Sequence, residues 1–180
     1  MNPFKRLLAL AALTLPLIAL PSAQAEVKSG PVPALKPGGQ WFNSKPLTLE
    51  QLKGKVVLVN LWVYSCINCH NSLPTLKDWY AKYASQGLEI VGVHTPEFES
   101  DKDAASVKAN LLENNVTWPV VQDNASQTWR AFENQFWPAF YFVDRKGNVR
   151  AFHAGEISSR FPGAIPGLEA QIKALLAEKP

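Results

Sequence analysis

The stretch Val56-Val57-Leu58-Val59-Asn60-Leu61-Trp62-Val63 is almost continuously apolar and rich in β-branched residues. Such a run reads as a strand buried on both faces, which implies a central or parallel place in a sheet. It runs directly into Ser65-Cys66-Ile67-Asn68-Cys69 and then a helical stretch to about Ala84. Leu73, Leu76, Trp79, Tyr80 and Tyr83 share one broad face of that helix. Pro74 lies inside it, so a kink is expected, with a freed carbonyl one turn back.

The rest of the chain repeats the alternation. Leu88–Val93 is a second buried strand, and His94-Thr95-Pro96-Glu97-Phe98 reads as a loop. A helix is expected from Asp103 to Glu113, closed by Asn114-Asn115, then a short strand at Val120-Val121. Asn124 with Gln127 resembles a further helix start, leading into Trp129, Phe132 and Phe136. Ala139–Val143 and Val149–His153 flank the turn Asp144-Arg145-Lys146-Gly147-Asn148 as a hairpin. Leu168, Ile172, Leu175 and Leu176 fall at the spacing of a closing amphipathic helix. Before all this, Trp41–Asn43 suits a short edge strand, and Thr48 with Gln51 a capping box. Alternating strands and helices build an α/β domain, a sheet flanked by helices. Trp62, Trp79, Trp129, Phe132, Phe140 and Phe142 sit at core spacing.

The first residues have another character. Lys5 and Arg6 precede an apolar run, Leu7 to Leu20, and then Ala23-Gln24-Ala25. A basic start, an apolar middle and a small-x-small site make a signal peptide, expected over 1–25 with cleavage after Ala25. The apolar run falls short of the roughly 20 residues of a membrane span and contains Pro16. An uncleaved membrane anchor is the alternative. Residues 26–40, rich in Pro and Gly, read as an extended arm before a domain at 41–180. The leader holds two of the 18 basic residues and none of the 15 acidic ones, which leaves the remainder close to neutral. That charge balance gives no footprint for nucleic acid. The periplasm is the expected location.

Two cysteines in an exported chain would ordinarily form one structural bridge. Residues three apart close almost no loop, so a Cys66–Cys69 bridge constrains the unfolded chain little. The pair is there to react. A strand running into a helix brings Cys66 to the helix amino end, where unpaired N–H groups favour thiolate over thiol. A thiolate is the attacking species in disulfide exchange. Cys66 is therefore the expected exposed nucleophile and Cys69, one turn on, the buried resolver, with no cofactor beyond their own disulfide.

Cys66-Ile67-Asn68-Cys69-His70 also fits the pattern of covalent haem attachment, which makes a small c-type haem protein the main rival. The only Met is Met1, in the leader, so His94 or His153 would have to supply a second axial ligand. A zinc site is poorly served, since Cys66, Cys69 and His70 crowd one segment with no second ligand pair, and no metal is expected. A peroxidase using Cys66, or a binding module with an idle disulfide, are the remaining alternatives.

Lys55–Trp62 ahead of Cys66-x-x-Cys69, Pro74 in the helix and Trp137-Pro138-Ala139-Phe140 before a hairpin resemble the thioredoxin superfamily. The helix and short strand between Asp103 and Val121 resemble the insertion of its TlpA-like, or redoxin, branch. Trp62–Cys69, His94–Phe98 and Asp123-Asn124 are closer still to the thioredoxin-like domains of DipZ-type proteins. The resemblance implies a thioredoxin-like fold, a central mixed sheet flanked by helices with a TlpA-like insertion. It implies a thiol–disulfide oxidoreductase acting on a protein disulfide, in the reducing direction. Electrons would come from a membrane thiol donor of the DsbD/CcdA type, and the chain would act as a monomer. A DsbA-like oxidant is the close variant. Pro138 would be a cis-proline facing the cysteines, and Trp137 would pair through its backbone with the substrate chain.

Two positions depart from the family pattern. Asn60 stands where thioredoxin has a buried acid, and Ser72 where many TlpA-like reductases have a glutamate. His94 and Glu97 are the candidates for proton transfer with Cys69 in their place. Glu156, after Gly155, is a weaker candidate to face the site.

Overall fold

A computed structural model of the chain describes residues 30–36 and 39–179; the leader expected over 1–25 lies outside them. The strands among these residues are β1 (Gly30–Pro31), β2 (Trp41–Phe42), β3 (Val56–Trp62), β4 (Leu88–His94), β5 (Val120–Gln122), β6 (Ala139–Val143) and β7 (Asn148–Ala154). The helices are α1 (Ile67–Tyr83), α2 (Ala104–Glu113), α3 (Gln127–Ala131) and α4 (Ile165–Ala177). The strands form one sheet in the order β1-β7-β6-β3-β4-β5-β2. β3 is central, parallel to β4 and antiparallel to β6, and all seven of its residues are buried. The mixed sheet with helices on both faces is the expected one.

Alternation along β3 divides the core into two layers. Val56, Leu58 and Trp62 pack with Leu73, Leu76 and Trp79 of α1, Val107 of α2 and Ile172 of α4. Val57, Val59 and Leu61 face the other way, onto Leu49, Leu52 and Phe132. Gly92 in β4 lets the Trp62 indole lie across the strand, since a Cβ there would stand 3.1 Å from Trp62 Nε1 and 2.9 Å from Val120 Cγ2.

The arm docks. Gly30–Pro31 pairs antiparallel with Asn148–Val149, the Val32 amide donates to the Gly147 carbonyl, and Val32 and Leu35 pack on the second layer. Thr48 and Gln51 make both capping-box bonds, but the element they open is a single 3₁₀ turn, Glu50–Leu52.

Three local expectations need correction. His94 ends β4 rather than beginning a loop, because it pairs with Trp62 and Gln122. Asn124 does not cap α3; the Asp123 carboxylate does, accepting from the Gln127 and Trp129 amides at 2.7 and 2.8 Å. The helix ends at Ala131, leaving Phe136 exposed in the loop before β6. No helix among the described residues is long and apolar enough to cross a membrane.

Candidate functional site

The sheet topology gathers one set of loops. β3, β4 and β5 end at the same edge where the antiparallel β6 begins and β7 ends. Residues 63–66, 95–103, 123–126, 132–138 and 155–164 therefore meet beyond β3. Trp137 and Pro138 lie opposite the end of β3, because Ala139 pairs with Leu61.

Cys66 is the N-cap of α1, half-buried, with Cys69 buried one turn on. Its carbonyl accepts from the Cys69 and His70 amides. The hydrogen bond from the Cys69 thiol is the main force lowering the Cys66 thiol from 9.0 to about 6. Burial opposes it, while the Cys69 and Asn68 amides assist and the Glu97 charge opposes. Cys69 is pushed strongly upward, first by burial and then by donating to Cys66. The two thiols are thus driven apart, one lowered and one raised: the bond between them leads for Cys66, with the helix amides only after it, and burial leads for Cys69. Both feel the Glu97 carboxylate.

The turn before Cys66 is held from three sides. The Tyr64 amide donates to His94 Nε2 at 3.4 Å, and its ring stacks on the His94 ring with centroids 5.5 Å apart. The Tyr64 hydroxyl donates to the Ser100 carbonyl at 3.0 Å, and the Ser65 hydroxyl to Asp101 Oδ2 at 3.1 Å. His70 Nε2 donates to the Tyr64 carbonyl at 2.6 Å. His94 is fully buried, edge-on to Trp62, and burial lowers it from 6.5 to about 4, against the Asp101 charge that raises it. Its imidazole is neutral. Sequence reasoning missed Asp101, which reads as one more acid in the charged run 97–103; only its burial distinguishes it.

The Trp137–Pro138 peptide is cis. The Pro138 carbonyl accepts from the amide of Gly155, whose φ of +102° suits glycine. The Trp137 ring lies on Trp129, centroids 4.2 Å apart, and its Nε1 donates to the Thr95 carbonyl at 3.1 Å. The Thr95 amide in turn donates to the Trp62 carbonyl. Trp137 is thus braced by its own side chain against the end of β4.

The family's acid positions are filled by neutral groups with structural duties. Asn60 is buried, its amide 3.4 Å from the Ala139 carbonyl. The buried Ser72 hydroxyl donates to the Asn68 carbonyl at 2.8 Å and accepts the Ile157 amide at 3.1 Å, joining α1 to the loop after β7. Glu156 accepts from the Ser158 hydroxyl and then from the Asn71 side-chain amide, which hold its carboxyl below the usual range in that order. It borders a cavity of about 570 Å³ with Asn68, His153 and Phe161.

Ile67, Phe98, Phe136 and Phe161 are each more than half exposed, and all four lie at this end of the sheet. Among the described residues, Leu112 is the one other large apolar side chain standing out from the surface, and it lies elsewhere.

A family model described as AhpC/TSA family matches residues 32–152, a span that holds β2 to β6 and most of β7. The chain belongs to the AhpC/TSA family. Protein DipZ of Mycobacterium tuberculosis is 40% identical over 138 residues, 75% of this chain and 20% of DipZ. The chain thus spans about a fifth of that relative's length. The thiol-disulfide oxidoreductase YkuV of Bacillus subtilis is 34% identical over 149 residues, 82% of this chain and 95% of YkuV. A thioredoxin-like protein solved in its oxidized form superposes with a TM-score of 0.73 at 33% identity, covering 84% of this chain and 98% of that one. The fold of this AhpC/TSA chain is thioredoxin-like.

Proposed function

We propose that the chain is an exported thiol–disulfide oxidoreductase that reduces protein disulfides through Cys66 and Cys69. The observation that carries this reading is the unequal pair at the head of α1, one thiol lowered to about 6 and its neighbour raised. Cys66 thiolate attacks a client disulfide, forming the Cys66–client bond and releasing one client thiolate. Cys69 then loses its proton, and its sulfur attacks Cys66. The Cys69–Cys66 bond forms as the Cys66–client bond breaks, and the second client sulfur leaves with the electron pair and is protonated. Two electrons pass to the client, and the chain is left as the Cys66–Cys69 disulfide.

Glu97 is the proton acceptor for Cys69. Asn60 and Ser72 carry no acid, and His94 Nε2 already accepts the Tyr64 amide. Glu97 is exposed, and its charge reaches both sulfurs. The exposed Ile67, Phe98, Phe136 and Phe161 suit an apolar protein client, whose chain Trp137 and Pro138, opposite the end of β3, would receive.

The reducing direction is supported by the Cys66 value of about 6, nearer the ~7 of thioredoxin than the ~3.5 of a strong oxidant. The basic start, apolar run and Ala23-Gln24-Ala25 support export and cleavage after Ala25. A membrane thiol carrier of the DsbD/CcdA type would return electrons to the oxidised form. The test is an equilibrium redox titration followed by tryptophan fluorescence and thiol trapping. A two-electron couple at or below about −270 mV is expected, and one near −120 mV would make the chain an oxidant.

A further inference from the structure

The buried carboxylate of Asp101 reaches two sides of the site at once. It is 1% exposed, and a single oxygen, Oδ2, accepts from the Ser65 hydroxyl at 3.1 Å, the Glu97 amide at 3.1 Å and the Phe98 amide at 2.9 Å. Ser65 immediately precedes the nucleophile. Glu97 carries the carboxylate assigned above to proton transfer. A buried anion is costly unless donors surround it, and these three donors are the ones that fold loop 95–103 against the cysteine turn. The Tyr64 hydroxyl, bonded to the Ser100 carbonyl, ties the same two segments a second time.

We infer that Asp101 is a positioning residue for disulfide exchange: by holding the Glu97 amide and the Ser65 hydroxyl on one oxygen, it sets where the Glu97 carboxylate stands relative to the two sulfurs. The inference rests on the proton-acceptor role proposed for Glu97. The role assigned to Asp101 is to hold position, its Oδ2 being taken up by these three donors. The titratable groups that interact with Glu97 are Cys66 and Cys69 from the α1 side and Asp101 from its own segment, with Glu99 and Lys102 close by in the chain. Lys102 pairs with Glu99 at 2.6 Å.

Single-turnover reaction with a disulfide peptide, followed across pH, separates the resolving step from the first attack. Wild type, E97Q, D101A, D101N and E97Q/D101A are compared, with thermal melts to establish folding. E97Q is expected to slow resolution roughly a hundredfold at pH 7 and to flatten its pH profile. D101A is expected to lose a comparable factor, and the double variant to be no slower than E97Q. D101N, which keeps one acceptor oxygen but loses the charge that holds three donors, should fall between the wild type and D101A; if D101A does not fold, a wild-type rate and profile in D101N overturns the inference. Losses that multiply in the double variant, or a wild-type rate and profile in D101A, overturn the inference. A wild-type rate in E97Q overturns the Glu97 role itself, and with it the place given to Asp101.

Discussion

His70 Nε2 donates to the Tyr64 carbonyl at 2.6 Å, so the residue after the second cysteine is tied back to the turn before the first. A carbonyl can only accept, which fixes the proton on Nε2. That nitrogen is the one a haem iron would need from a Cys-x-x-Cys-His segment. Protein produced in a host competent for haem attachment should show no haem absorbance, and thiol trapping after reduction should find both Cys66 and Cys69 free. Absorbance with blocked thiols would reverse the assignment.

Alkylation of Cys66 should follow a titration midpoint near 6, well below the ordinary thiol value of 9.0. The bond from Cys69 is the leading cause, so Cys69→Ala should move the midpoint upward by more than a unit. Cys69→Ser, which keeps a hydroxyl donor, should move it less. Iodoacetamide rates against pH decide this, and a Cys69→Ala midpoint equal to that of the wild type would leave the helix amides as the sole cause.

His94 makes the fold acid-sensitive. Its folded value, about 4, is depressed from 6.5 by burial, so the unfolded chain binds the proton more readily. Its contribution is fully present above pH 6.5 and is lost as pH falls toward 4, with a total on the order of 3 kcal/mol. His94→Gln should cost stability at pH 7, through the lost stacking with Tyr64, yet lose less between pH 6.5 and 4. Urea titrations at a series of pH values read both terms, and parallel pH curves for the two proteins would refute the claim.

Ser72→Ala removes the acceptor for a buried amide, that of Ile157, and should cost about 1–2 kcal/mol. The Cys66 titration should stay where it was, since Ser72 touches neither sulfur. A shifted midpoint with unchanged stability would mean that Ser72 belongs to the proton path after all.

The central architecture was legible because its signals are long and periodic. Val56–Val63 has no polar break but Asn60, and that alone places β3 in the middle of the sheet. The cysteine spacing and the Trp137-Pro138-Ala139 segment then pointed to the candidate site at one end of the sheet. What stayed hidden depends on contacts distant in sequence. Asp101 and Ser65 meet across 36 residues, and nothing local separates Asp101 from Glu99 or Asp103. Asp123, not its neighbour Asn124, caps α3, because the chain passes through a left-handed residue at Ser126 and the helix starts later than the local pattern suggests. His94 looked like a loop residue since Pro96 follows closely, but the ladder with β3 and β5 carries the strand through it.

Reaction of the Cys69→Ala variant with a disulfide-bearing peptide, read by mass spectrometry, tests the central claim most directly. The account predicts a stable peptide adduct on Cys66 that a dithiol reductant removes, with none formed by Cys66→Ala. Equal disulfide reduction by Cys66→Ala and the wild type, or no adduct on Cys66, would contradict it.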